Sequence, residues 1–361
     1  MEIDVERNNC WRRIPVGCAK KKTLFLLFVV TTLIYLVLNW EVTKSADFLE
    51  RPHENHRIRL KPAASPSFDV LSLGPQDYKR LVDLNDFHFT LIEPEACKAP
   101  VFLLVLVPSA PNHLHKRLNI RTTWGHRRME VKIVFVLGRV QDNNLQKDIE
   151  NESEVYRDVI QGNFLDTYQN LTYKAMSAFK FVLYHCEKAL YVLKMDDDCF
   201  VNMPLLLNFL KNDLSVYGTD NLFLCNDMTG SPVIRDVHSQ WYVSEMDLSD
   251  EFYPSYCSGW YAILSPDVIF RLYESTQKLK YLSIDDALIY GIAAKKCNLT
   301  HTDFSRYTLA YRSLDLHFNG TYDSLPLLFG SPNMNPEQIK NCWLFFRSRP
   351  VAASLRGALG T

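Results

Sequence analysis

Three consecutive carboxylates, Asp196, Asp197 and Asp198, follow an apolar run from Ala189 to Met195 and precede Cys199-Phe200-Val201-Asn202. Like charges in a row repel one another, and Asp is a poor strand residue, so the cluster needs a cause. At the C-terminal end of a strand the acids can share a hard divalent cation, Mg²⁺ or Mn²⁺, through oxygen ligands. Such an ion would bridge to diphosphate oxygens and neutralise a leaving nucleotide. The competing reading is a solvated acidic turn that caps a helix beginning near Pro204.

Three other blocks carry chemistry-bearing residues. Arg117 and Arg121 stand four apart, hence on one helix face. Both could meet a phosphate, or form a solvated basic face with Trp124 as core. Tyr253-Pro-Ser-Tyr256-Cys-Ser-Gly259-Trp260-Tyr261 leads an aromatic-rich turn into a short strand. Aromatic faces beside a close-approach glycine suit a sugar-binding wall; packing of those rings in the core is the alternative. Asp285 and Asp286 precede a helical run, Ala287 to Ala294. A carboxylate there can cap the helix or act as general base, and the two roles are compatible.

The elements that must position these groups alternate in type. Val101 to Val107 is uniformly apolar between Pro100 and Pro108, as expected of a strand buried on both faces. A helix is expected from His115 to Thr123, then a strand from Val131 to Leu137 stopped by Gly138. Leu171 to Cys186 reads as a helix, Ala189 to Met195 as a third buried strand, and Ser265-Pro266 as the start of another helix. Alternating strands and helices predict an α/β domain with a largely parallel sheet, whose ligands sit beyond the C-terminal strand ends. No G-x-G-x-x-G follows the first strand and no G-x-x-x-x-G-K-[ST] occurs, which argues against dinucleotide and P-loop chemistry.

Compartment is read from the N-terminus. Thr23 to Trp40 is uncharged and rich in Leu, Val and Phe, near the lower length limit for a membrane span. Arg12, Arg13 and Lys20 to Lys22 precede it, so the positive-inside rule puts the N-terminus in the cytosol. The run is long for a cleaved signal peptide and no A-x-A-like site follows, so a signal anchor is expected. Residues 1–22 form a cytosolic tail, 23–40 the span, 41–86 a proline-punctuated stem and 87–361 the catalytic body. Sequons at Asn151, Asn170, Asn298 and Asn319 all lie after the span, consistent with a luminal body. Seven cysteines share that compartment, an odd number that leaves at least one unpaired or bridged between chains. A net charge of −1 with dispersed Lys and Arg gives nothing for nucleic acid to bind.

These blocks, in this order, resemble the β1,3-glycosyltransferase family, glycosyltransferase family 31. R-x-x-I-R-x-T-W-G stands at Arg117 to Gly125, and F-x-D-x-Y-x-N-L-T-x-K at Phe164 to Lys174. K-x-D-D-D-x-F-V-N stands at Lys194 to Asn202, a K-W-Y-V-S-like block at Gln240 to Ser244, and Y-P-x-Y-C-S-G at Tyr253 to Gly259. The resemblance implies a GT-A-like, Rossmann-type nucleotide-sugar transferase domain behind a single N-terminal transmembrane helix. It further implies a UDP-sugar donor, Mn²⁺, inversion at the anomeric carbon, a glycan acceptor on glycolipid or glycoprotein, and a Golgi membrane location with type II topology. Donor-binding residues would be Arg117, Arg121, Lys174, Asp196 and Asp197, with Asp198 on the metal. Trp241, Tyr256, Gly259 and Trp260 would form the sugar and acceptor wall.

The family's base is the Asp of E-D-V, which falls here on Asp286, with Asp285 in place of the Glu and Ala287 in place of the Val. Family members commonly supply a metal-binding His shortly before a P-x-x-M-x-x-x-W-like segment, here Pro336 to Trp343. Gly330 to Asn335 contain none, and His317 is the nearest upstream candidate. The rival reading is a non-catalytic Golgi glycan-binding or partner subunit. A metal-dependent hydrolase is disfavoured because the further ligands of a two-metal site are missing.

Overall fold

The computed structural model describes residues 59–60, 68–93, 96–309 and 327–348, all within the unit His56–Thr361. The expected tail and span at 1–40, most of the expected stem, His317 and Asn319 lie outside the described residues. A two-residue ribbon pairs β1 (Arg59–Leu60) with β8 (Thr219–Asp220). The main sheet has eight strands: β2 (Phe89–Leu91), β3 (Leu103–Pro108), β4 (Val131–Arg139), β5 (Val159–Leu165), β6 (Tyr191–Met195), β9 (Phe223–Met228), β10 (Tyr256–Leu264) and β11 (Thr302–Asp303). Their order is β11-β9-β10-β6-β3-β4-β5-β2. A three-stranded sheet joins β7 (Phe200–Val201), β12 (Thr308–Leu309) and β13 (Phe329–Gly330).

Strands β6, β3, β4 and β5 are mutually parallel, and β2 and β10 add antiparallel neighbours at either side. The unbroken apolar run of β3 follows from burial on both faces. Leu103, Val105 and Val107 enter one core while Leu104 and Leu106 enter the other, as the two-residue period of a strand requires. Against the first face pack α1 (Leu114–Thr122), α2 (Asn143–Tyr156), α4 (Met203–Asn208) and α6 (Pro336–Arg347). Against the second pack α3 (Leu171–His185) and α5 (Pro266–Thr276). Each fully buried Leu or Val of β3 contributes about 1.5–3 kcal/mol of transfer free energy.

Two local readings change. Gly138 does not stop β4, which runs on to Arg139, because the Gly138 N–H is taken by the Asp166 carboxylate at 2.6 Å. A Cβ there would stand 2.7 Å from Phe164, so the glycine answers to close packing. Strand β5 escaped the apolar pattern because Gln161 sits inside it. Its amide is fully buried, yet donates to the Gly138 carbonyl at 2.9 Å and bonds Gln146.

Residues 68–86, assigned from sequence to the stem, pack onto the body. Asp77 accepts from Gln277, Tyr184 and Tyr273 at 2.7–2.9 Å and meets Lys180, while Leu81 and Val82 are buried. Proline content and polarity suggested a spacer, but a satisfied buried polar network can anchor such a segment.

Candidate active site

From β3 the chain winds outward through β4 and β5, then returns to place β6 on the other side of β3. Connections leave β3 and β6 in opposite directions, which opens a crevice at their C-terminal ends. A cavity of about 640 Å³ lies there. Its walls come from Ser109 to His113 after β3, from Asp196 to Asp198 after β6, from Asp166 to Tyr168, and from Gly259, Trp260, Asp285 and Asp286.

The acidic run is held open by cations and donors. Asp197 accepts from Ser109 Oγ at 2.7 Å, pairs with His113 Nδ1 at 2.8 Å and with Lys116 Nζ at 3.0 Å. Burial raises its pKa, but these partners outweigh burial and hold the carboxyl below its usual value. Lys116 also reaches Asp198 Oδ2 at 3.2 Å. Lys194 bonds Asp196 at 2.7 Å and the Gly259 carbonyl. Burial opposes its charge, yet Asp196 and the neighbouring acids keep the ammonium above its ordinary pKa.

Across the cavity, Asp286 accepts the Gly259 N–H at 2.8 Å. A Cβ on Gly259 would lie 1.9 Å from Asp286 Oδ1, so only glycine admits this contact. Burial, reinforced by Asp285, pushes the Asp286 carboxyl well above the usual carboxylate range, while Lys194 and the Gly259 N–H pull the other way. Asp286 stands just before a π-helical turn, Ala287–Ala293, where the sequence suggested an ordinary helix. Such turns concentrate at functional sites.

A family model described as Galactosyltransferase matches residues 115–305, more than half of the 361. Human Beta-1,3-galactosyltransferase 5 is 33% identical over 239 residues, 64% of this chain and 75% of its own. Mouse Beta-1,3-galactosyltransferase 1 is 32% identical over 299 residues, 79% of this chain and 87% of its own. The chain belongs to this galactosyltransferase family. It is a hexosyltransferase with an α/β catalytic body. Among solved structures, the galactosyltransferase LgtC in complex with donor and acceptor sugar analogs shares 9% identity at a TM-score of 0.35, covering 72% of this chain and 96% of that one. A likeness that slight adds nothing to the argument.

The galactosyltransferase motif around Arg117 is structural in this chain. Arg117 is fully buried, forks onto Glu152 at 2.7 and 2.8 Å, and donates to Ser109 Oγ and the Ala110 and Pro111 carbonyls. Arg121 pairs with Glu152 and Asp158. Helix periodicity put both on one face correctly, but that face meets α2 and its following residues, so the guanidinium groups do not line the cavity. Arg117 instead props the loop whose Ser109 holds Asp197. Lys174 does line the cavity, paired with Asp166 at 2.8 Å and bonded to the Ser109 carbonyl at 2.9 Å.

Gly259 and Trp260 line the same cavity, whereas Tyr256 packs edge-on to Tyr253, 5.8 Å away, outside it. Trp241 is exposed and is not among the residues that line the cavity, whereas Tyr168 is in the wall. Tyr168, His113, Lys116 and Lys194 were missed as site residues. Lys194 and Tyr168 stood inside quoted motifs, whereas His113 and Lys116 carry no local signal and are recruited only by the fold.

Asn151 and Asn298 are exposed. Asn170 donates to the Leu165 carbonyl and Thr172 of its sequon is buried on the Leu282 carbonyl, which gives that tripeptide a structural cause.

A divalent ion can be tested against the donor set. Among the described residues the cavity wall carries six carboxyl groups, from Asp166, Asp196, Asp197, Asp198, Asp285 and Asp286, against the ammonium groups of Lys116, Lys174 and Lys194. A diphosphate entering such a surplus of negative charge would be repelled without a further cation. The oxygen donors are of the kind Mn²⁺ accepts. Among the described residues the one tight His/Cys/carboxylate group is Cys225, Cys257 and His301, but those cysteines form a disulfide and are not ligands.

Proposed function

We propose that this chain is an inverting β1,3-glycosyltransferase that moves galactose or an N-acetylhexosamine from a UDP-sugar to a hydroxyl of a glycan on glycolipid or glycoprotein. The observation that carries the reading is Asp286. It is a cavity carboxyl of raised pKa, held by one backbone N–H and set across from the Asp196–Asp198 run. A base of raised pKa is suited to proton abstraction near neutral pH. The acceptor O–H proton passes to the Asp286 carboxylate as the oxygen attacks the anomeric carbon. The bond from that carbon to the β-phosphate oxygen breaks on the opposite face, and UDP leaves with the electron pair.

Asp198, with Asp196 beside it in the wall, would hold Mn²⁺. When bound, the ion supplies charge to the departing diphosphate. Lys116 and His113 orient the acidic run, and Trp260 with Tyr168 offers aromatic surface to a sugar ring. We place the body in the Golgi lumen behind a type II anchor at 23–40. The Cys97–Cys186 and Cys225–Cys257 disulfides support an oxidising compartment. Among the described residues no helix is long and apolar enough to cross a membrane. Asp198 and Asp286 together in one cavity favour catalysis over a purely glycan-binding role.

The test is transfer from a panel of UDP-sugars to simple glycosides with Mn²⁺, the product's anomeric configuration being read by NMR. A β-linked product from an α-linked donor is expected. Failure of every donor, or a retained configuration, would overturn the reading. Calorimetry of Mn²⁺ with and without UDP adds a measure independent of turnover, and affinity should depend strongly on UDP because the described protein ligands are few.

A further inference from the structure

At the opposite end of the sheet from the donor cavity, where β3, β4 and β5 begin and α1 and α2 end, lies a second cleft of about 880 Å³. Among the described residues, six cations line it, Lys98, Arg121, Arg127, Arg128, Lys132 and Arg157, and one carboxylate, Asp158. Asp158 is already bound bidentately by Arg121. Nearby Glu130 is taken by Lys211 and Glu93 by Arg157.

The C-terminal ends of two helices account for part of this charge, since cations are favoured there. Lys132 reaches the Arg157 carbonyl, and Arg128 reaches the carbonyls of Trp124 and His126. Carbonyls satisfy hydrogen bonds, however, and leave the formal charge uncancelled. Two observations go beyond helix capping. Arg121 Nη1 is buried at the cleft wall and has no hydrogen-bond partner among the described residues, a rare condition in a folded protein. Burial also holds the Arg128 guanidinium below its ordinary pKa, which Glu130 only partly offsets.

We propose that this cleft is a second binding site, for a phosphate or sulfate oxyanion, separate from the donor cavity. Guanidinium forks match the oxygens of such groups, and a concave basic surface concentrates its field on them. The oxyanion has two sources, a free or sugar-borne group or a lipid headgroup. Fully exposed Met129 beside exposed Val155 and Tyr156 gives the rim the apolar contacts that a headgroup's glycerol and acyl roots would use.

The experiment is calorimetry on the detergent-solubilised full chain with inorganic sulfate, inorganic phosphate, and short-chain phosphatidic acid against phosphatidylcholine of equal chain length. Each titration is repeated in Lys116→Gln, which removes a cation of the donor cavity and should leave binding at this cleft unchanged. Saturable binding of sulfate or phosphate that weakens with ionic strength is expected. It should fall about tenfold or more in Arg127→Gln and further with Arg128→Gln. Phosphatidic acid binding more tightly than the free ions assigns the headgroup source, and equal affinity assigns the bare oxyanion. Arg127 is exposed, so its variant keeps the fold, and unchanged thermal unfolding and sugar transfer check this. Absence of saturable binding by every anionic probe, or binding unaltered in the double variant, would overturn the proposal.

Discussion

At the scale of single residues the cavity turns on one carboxyl and one glycine. Asp286→Asn keeps the shape and removes the base, so transfer should fall about 10²–10⁴-fold. UDP affinity should hold, as calorimetry would show; near-normal transfer would leave Asp286 as a helix cap only. The pH dependence has a definite sign. Burial and then Asp285 raise the Asp286 pKa, so activity needing the ionised form climbs as pH rises through that raised value. Asp285→Asn removes the second cause and should move the acid limb of kcat/KM to lower pH. A fixed limb would separate the two groups.

The same shift bears on stability. A raised carboxyl pKa favours the folded state fully below the ordinary carboxylate range, and that contribution is lost as pH rises through the raised value. Gly259→Ala forces a methyl within 1.9 Å of Asp286 Oδ1. The carboxyl must move, and a displacement near 1 Å can cost about a hundredfold in rate. UDP binding measured alongside should change little, and full activity would show that the contact yields freely.

At the scale of elements, α1 is a strut rather than a phosphate clamp. Its Arg117 joins Glu152 on α2 to the loop after β3, and through Ser109 to Asp197. Arg117→Met leaves Glu152 buried with one partner fewer, and breaking such a pair costs about 3–5 kcal/mol. Urea unfolding of the purified full chain should show that loss. Unchanged stability with UDP affinity greatly reduced would return Arg117 to the donor. The π-helical turn after Asp286 is a second element-scale device. Its Gly291 packs so close to Tyr256 that a Cβ would stand 3.0 Å from the Tyr256 Cβ, which binds the turn to the head of β10.

At the scale of the molecule, covalent links and topology set the setting for catalysis. Cys97–Cys186 closes 89 residues and Cys225–Cys257 ties β9 to β10, while Cys199, Cys297 and Cys342 stay free. Removing either disulfide should cost about 2–5 kcal/mol, read as a lowered Tm in Cys97→Ser or Cys225→Ser. Type II orientation is tested with a C-terminal tag in sealed microsomes. Protection from added protease, lost only with detergent, is expected; digestion without detergent would put the body on the cytosolic side.

The sequence by itself determined the parallel strands and the acids they deliver. An unbroken apolar run admits burial on both faces and little else, and Asp196 to Asp198 must then emerge at a strand's C-terminal end. The pairing of Asp286 with a later helix start, and the glycine opposite it, were also legible as motif positions. Tertiary structure decided where charge goes. Arg117 and Arg121 share a face in any helix, but only packing shows that the face meets Glu152 and Asp158 rather than a cavity. Lys116 and His113 are ordinary surface residues until the turn after β3 brings them over Asp197. Gln161 hid β5 because a buried amide reads as solvent-exposed until its partner Gly138 is known. Local pattern records which side chains avoid water, whereas long-range contacts alone settle which polar groups satisfy one another, and catalysis depends on the latter.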